Sequence, residues 1–267
     1  MNRLYKYPRT PHLTGSRVQP GDEDLRVVAP AVLKGRDLII EEKVDGANCG
    51  ISFSSTGELL LQSRGHFLDG GPRERHFGLL KSWATCHQKE LWETLGSRYV
   101  MYGEWLYAKH TIFYDHLTHY FFEFDVLDLE RGFFLASAKR RELLSGLPVV
   151  SVPIIGSGHL RSVKQLRSFI AASALQTAQW RNTLIEVCQA RSLDADRALR
   201  ETDAAGLMEG LYIKVEDEEQ VIERYKFVRE SFLQAVEESD SHWLERPIIP
   251  NQLRAEVDLF AKAAKAV

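Results

Sequence analysis

Lys43 sits in the octet Glu41-Glu42-Lys43-Val44-Asp45-Gly46-Ala47-Asn48, one lysine among three carboxylates, between two apolar runs of strand-like composition. A lysine held in a pocket can shed its proton and attack as a neutral amine, so the octet is a candidate for covalent catalysis. The competing reading is a surface hairpin whose lysine pairs with its acidic neighbours. Glycine after Asp45 serves either case, because it permits a tight reversal as well as a close ligand approach.

Five downstream segments bear on the choice: Ser63-Arg64, Tyr102-Gly103-Glu104-Trp105, Phe122-Glu123-Phe124-Asp125, Glu209-Gly210-Leu211-Tyr212-Ile213-Lys214 and Arg224-Tyr225-Lys226. Each follows or lies on a segment of strand composition, so their charges and aromatics can gather around one cleft. Glu104 and Glu209 suit ribose hydroxyls or Mg²⁺, a hard cation that prefers oxygen, with a salt-bridged glutamate as the alternative for either alone. Gly103 and Gly210 beside them would let a ligand come close. Lys214 and Lys226 carry compact charges suited to phosphate. Strand alternation puts Phe122 and Phe124 on one face and Phe121, Glu123 and Asp125 on the other. Phe124 is then the candidate to stack on a base, against core packing.

Taken in order with Lys43, these segments resemble the nucleotidyltransferase motifs of covalent ATP-dependent polynucleotide ligases, most closely the RNA ligase 2-like branch, from Leu38 to Val228. The resemblance implies that Lys43 takes AMP from ATP, that AMP passes to a 5′-phosphate, and that a 3′-hydroxyl displaces it to form a phosphodiester. It implies a catalytic set of Lys43, Glu209 and Lys226. It implies an ATP site of Glu42, Asn48, Arg64, Glu104, Phe124, Lys214 and Lys226, with Glu104 on the ribose and Phe124 on adenine. Glu209 and Asn48 would hold Mg²⁺ or Mn²⁺. Arg64, Arg73, Arg75 and Arg224 would meet nucleic acid, a plain solvated loop being the alternative for Arg73, Arg75 and His76.

Attack requires a deprotonated amine, so Lys43 is expected to have a depressed pKa even without ligand. Asn48 favours end joining, because mRNA capping enzymes usually carry arginine at the matching place. Arg224 departs from the family, standing where the first lysine of a closing Lys-x-Lys pair is expected. RNA is the expected substrate, a DNA ligase the first alternative, and a catalytically silent nucleotide-binding protein the second. An end-healing kinase or phosphatase is a compatible partner.

The elements that must position these groups are legible as strands at Leu38 to Val44, Cys49 to Ser54, Leu59 to Ser63, Tyr99 to Tyr107, Tyr120 to Leu127, Met208 to Val215 and Gln220 to Val228. Phe77, Leu80, Trp83, Leu91, Trp92 and Leu95 recur at helical spacing. The stretch 140–205 reads as a helical insertion and 229–267 as a small helical C-terminal appendage. The expected fold is α+β: an antiparallel-sheet nucleotidyltransferase core over 1–228, ATP-grasp-like as in ligase adenylation domains, with helices outside and no oligonucleotide-binding barrel.

At 267 residues the chain can bury a substantial core. A net charge of -3 excludes a globally basic nucleic-acid binder, so any such surface is local. Cys49, Cys86 and Cys188 are scattered and odd in number, which argues against zinc and disulfides and fits a reducing cytoplasm. Met1 to Gly15 lacks the apolar core of a secretory signal, and no later run could span a bilayer.

Overall fold

Alternation of apolar and polar side chains gives each central strand one face for a core and one for a cleft. The structure, a computed structural model, describes residues 2–18, 21–160, 162–232 and 247–262. In chain order its strands are β1 His12–Leu13, β2 Val27–Val28, β3 Leu38–Lys43, β4 Ala47–Phe53, β5 Leu59–Ser63, β6 Tyr99–Trp105, β7 Phe121–Asp128, β8 Phe133–Phe134, β9 Val150–Ser151, β10 Ile154–Gly158, β11 Gly210–Glu216 and β12 Val221–Val228. The helices are α1 Gly78–Cys86, α2 Gln88–Leu95, α3 Ser137–Leu143, α4 Val163–Ser168, α5 Trp180–Ala190 and α6 Ala195–Arg200.

Two mainly antiparallel sheets result, one ordered β10-β3-β11-β12-β1-β2 and the other β5-β4-β6-β7-β8, with β9 beside β7. Leu38, Ile40, Leu211, Ile213, Tyr225 and Phe227 put the outer face of the first sheet into a core with Leu33 and Leu166. Cys49, Ile51, Phe53, Met101 and Trp105 do the same for the second sheet, against Leu80, Trp83, Leu91 and Leu95 of α1 and α2. The helical stretch breaks at His87, which ends α1 and precedes α2. A fully buried leucine in such a layer contributes about 1.5–3 kcal/mol. No helix among the described residues is long and apolar enough to cross a membrane.

Three departures from the sequence reading have physical causes. The stretch 140–205 holds α4, α5 and α6, the last capped by the Asp194 side chain accepting from the Arg197 N–H. It also holds β9, parallel to β7, and β10, antiparallel to β3, so it is woven into both sheets rather than inserted between them. Of the expected C-terminal appendage, residues 233–246 and 263–267 lie outside the described residues. The described part, 247–262, is non-helical and pairs with the loop after β6 at Ala108↔Pro250 and Leu117↔Leu253. Strict alternation in β7 fails at a bulge: Tyr102 pairs with Asp125 and Gly103 with Glu123, leaving Phe124 as the extra residue. Glu123, Phe124 and Asp125 consequently all reach partners outside their own sheet.

Between the sheets lies a network of buried charges. Lys214 bridges Glu41 at 2.9 Å and Asp125 at 3.2 Å and donates to the Phe124 carbonyl. Arg140 of α3 joins Glu41 to Glu123, with both Glu123 oxygens at 2.8 Å. Arg224 binds Asp125 at 3.0 Å and lies over the Phe134 ring. Removing one partner strands an uncompensated buried charge. Arg140→Leu, which leaves Glu41 and Glu123 without that cation, is expected to lower stability by about 3–5 kcal/mol in urea unfolding. A loss under about 1 kcal/mol would show that the network does not hold the sheets together.

Candidate active site

The octet spans the cleft. β3 ends at Lys43 in one sheet and β4 begins at Ala47 in the other, so Val44-Asp45-Gly46 is the crossing. Asp45 anchors it, its carboxylate accepting from the N–H groups of Thr111 (2.6 Å) and Ile112 (2.8 Å) while its own N–H donates to Tyr114 Oη (2.9 Å). The loop supplying those partners is held by buried Asn251, which accepts from the Tyr114 N–H and donates to the Leu106 carbonyl.

Register sets the remaining neighbours. Lys43 pairs with Gly210, which brings Glu209 alongside, and Lys43 Nζ donates to Glu209 Oε1 at 2.6 Å. Asn48 pairs directly with Glu104. A cavity of about 400 Å³, in the range of small-molecule sites, is lined by Glu42, Lys43, Asn48, Arg64, Glu104, Phe124 and Lys226. The structure thus gathers most of the sequence-predicted set, with Glu209 buried behind Lys43.

Others lie elsewhere. Lys214, expected on the phosphates, is fully buried in the inter-sheet network and lines no part of this cavity. Arg224 is committed to Asp125 and Phe134 and opens on a neighbouring groove. Arg75 is exposed on a 3₁₀ turn away from the cavity, and the Arg73 side chain lies outside the described residues. Gly103 and Gly210 serve chain packing rather than ligand approach. A Cβ on Gly103 would fall 2.6 Å from the Phe121 ring, and one on Gly210 only 2.1 Å from the Phe227 carbonyl.

Sequence reasoning missed the contribution of the N-terminal segment, from which Tyr7, Arg9, Thr10 and Asp22 also line the cavity. Asp22 binds Lys226 Nζ and lies 3.3 Å from His12 Nε2. Tyr212 was missed as well. Its ring faces Phe124 across the sheets at 6.4 Å between centroids, and its hydroxyl bonds Tyr7 at 2.6 Å and Thr10 at 2.8 Å. The signal was a cluster of Tyr, Arg and His ahead of the first long strand, which carries no period.

Electrostatics correct one expectation. Burial pulls the Lys43 pKa down, but Glu209, helped by Glu104 and Asp45, outweighs it and holds the ammonium above its ordinary value. The resting lysine is therefore protonated, not poised as an amine. Burial pushes Glu104 up to about 8 against the pull of Lys43 and Arg64. It raises Glu42 to about 7 although Ser173 Oγ donates to that carboxylate at 2.5 Å. Burial lowers Lys226, with Asp22 opposing.

Among the described residues no three His, Cys, Asp or Glu side chains form a ready-made metal site. Glu104, Glu209 and Asn48 nonetheless offer oxygen donors around Lys43. Mg²⁺ commonly takes one or two carboxylates and fills its other positions with phosphate and water, so this set fits a cation that arrives with a nucleotide.

The RNA ligase family model matches residues 36–228, while no curated protein matches the chain. Solved structures of similar fold include three forms of the Naegleria gruberi RNA ligase. A substituted apo form has a TM-score of 0.52 at 16% identity, covering 88% of this chain and 60% of that one. A substituted form with ATP and Mn has 0.51 at 15%, covering 78% and 54%. The form with PPi has 0.50 at 15%, covering 89% and 61%. At these identities the likeness is one of fold.

The raised Glu104 pKa makes the folded chain hold a proton that the unfolded chain releases. That contribution is complete below the ordinary value near 4.5 and is lost as pH rises through about 8. Glu104→Gln, which never ionises, should therefore gain stability relative to the parent as pH rises through this window. Thermal melts of both unliganded proteins check it, and a pH-independent difference would contradict the assignment.

Proposed function

The chain belongs to the RNA ligase family, and on that premise we propose that it is an ATP-dependent RNA ligase joining 3′-hydroxyl and 5′-phosphate ends through AMP carried on Lys43. The carrying observation is the placement of Lys43 at the mouth between two sheets, with Glu209 at 2.6 Å and Glu104, Asn48, Phe124 and Lys226 around one cavity. The nucleotidyl-transfer unit is assigned to 1–228, with the described tail 247–262 bracing its loop.

Each wall has a task. Phe124 and Tyr212 pack tilted against one another from the two sheets and line the cavity, so a planar adenine would stack on the exposed face of Phe124. Glu42, still partly protonated at neutral pH, can donate and accept along the base edge. Glu104 and Asn48 bind the ribose side, and Lys226 with Arg64 offsets phosphate charge. A divalent cation held by Glu209 and Asn48 would supply positive charge that lowers the amine pKa.

Lys43 gives its proton to Glu209 Oε1, the acceptor already in contact with it. The free amine pair bonds to the α-phosphorus, the bond to the bridging oxygen breaks, and its electrons leave with pyrophosphate. A 5′-phosphate oxygen next attacks that phosphorus and displaces Lys43. The 3′-hydroxyl oxygen then attacks the 5′-phosphorus and releases AMP. Lys226 and Arg64 remain opposite the charge in all three transfers.

Given Mg²⁺ and ATP labelled in its α-phosphate, the protein should take up covalent label and Lys43→Ala should not. Label on the variant removes Lys43 as nucleophile. Glu209→Ala is expected to slow labelling about 10²-fold or more, as for loss of a positioned base, and an unchanged rate would leave Glu209 a structural partner. Nicks presenting RNA at the 3′-hydroxyl should be sealed faster than DNA nicks; equal or reversed rates would favour a DNA ligase.

A further inference from the structure

We propose that the groove adjoining the nucleotide cavity, on the β2 and β12 side of the first sheet, holds the phosphodiester backbone of the RNA strand whose end is joined. This rests on the ligase reading above. The groove has a volume of about 650 Å³ and shares Arg9 and Thr10 with the cavity, so the two adjoin. A strand lying in it would run beside the site of the proposed phosphoryl transfer. Its walls include Pro8, Arg9, Arg26, Val28 and Val32, all of which precede residue 36, where the family match begins. The N-terminal segment thus forms one wall of the groove, and Arg36 with residues 222–225 forms the other.

Charge selects the ligand. Four arginines, Arg9, Arg26, Arg36 and Arg224, line the groove with one carboxylate, Glu223, although Arg9 and Arg224 also pair with Asp22, Asp24 and Asp125 behind them. Glu223 is already engaged, accepting from Arg36 at 3.4 Å and from the Tyr225 hydroxyl. Arg9 is held by Asp24 at 2.7 Å and marks the boundary with the cavity. Arg26 is exposed and has no ion pair among the described residues. At the floor, Arg224 Nη2 is buried with no hydrogen-bond partner although Nε holds Asp125.

The apolar part of the site agrees. Val28, Val32 and Ile222 line the same groove, Ile222 at 51% exposure. A row of arginines tracks a strand through its phosphates, and the apolar floor adds no competing charge. An acidic peptide would meet the same cations, but the position of the groove next to the nucleotide cavity favours the polynucleotide.

The test uses the full chain and a fluorescent single-stranded RNA oligonucleotide with a 5′-phosphate, read by anisotropy over a salt series. Arg26→Glu should raise Kd about tenfold and make the dependence of log affinity on log salt shallower by about one to two units. Arg26→Lys should keep the parent slope, because the charge is retained. Lys89→Ala, an 82% exposed cation on α2, should bind like the parent. Uptake of label by Lys43 should be unchanged in all three. Parent affinity and slope in Arg26→Glu overturn the groove, as does a loss that Arg26→Lys fails to rescue. If the parent takes up no label, the ligase reading fails while the dependence of RNA binding on Arg26 still decides the groove.

Discussion

The arrangement at the cleft depends on keeping three cations and three carboxylates dry between two sheets. Lys214, Arg140 and Arg224 balance Glu41, Glu123 and Asp125, and no member has an apolar substitute that would keep its neighbours paired. Desolvation of each ion costs several kcal/mol, so the network is no large net source of stability. What it supplies is geometry. Glu41 lies two residues before Lys43 on β3, and its partners come from β11 and α3. Asp125 on β7 shares Lys214 with it. The strand that carries Lys43 is therefore tied to the opposite sheet through these shared charges.

The same low-dielectric setting bears on how an acid-rich cavity would receive the proposed polyanion. Burial keeps Glu42 and Glu104 protonated further toward neutral pH than exposed glutamates would be, which reduces their repulsion of phosphate. Lys43 remains an ammonium on Glu209 at rest. On the proposed reading, Lys43 must lose this proton before it can attack.

Much of this was readable beforehand, for identifiable reasons. Strands β3, β4, β6, β7, β11 and β12 are long and rich in β-branched and aromatic residues, so their positions and the motif residues at their ends followed from composition. β9 and β10 were absorbed into a helical reading because Val149 to Ile155 is a short apolar run flanked by helical periods. The Lys214 prediction failed on placement rather than type, since alternation puts it on the cleft face of β11 but too deep to reach the cavity. Phe124 was assigned to the cavity by resemblance, whereas the bulge that aims it there depends on a pairing offset no single strand reveals. The N-terminal contributions have no period at all, and only the tertiary fold shows Tyr7 beside Tyr212 and Asp22 beside Lys226.

Crossing the cleft within three residues has a mechanical meaning. Lys43 belongs to one sheet while Asn48 and Glu104 belong to the other, so a nucleotide bound as proposed would touch both sheets at once. The spacing of the two sheets, fixed by the buried charges, would then act as the gauge that decides what fits between them.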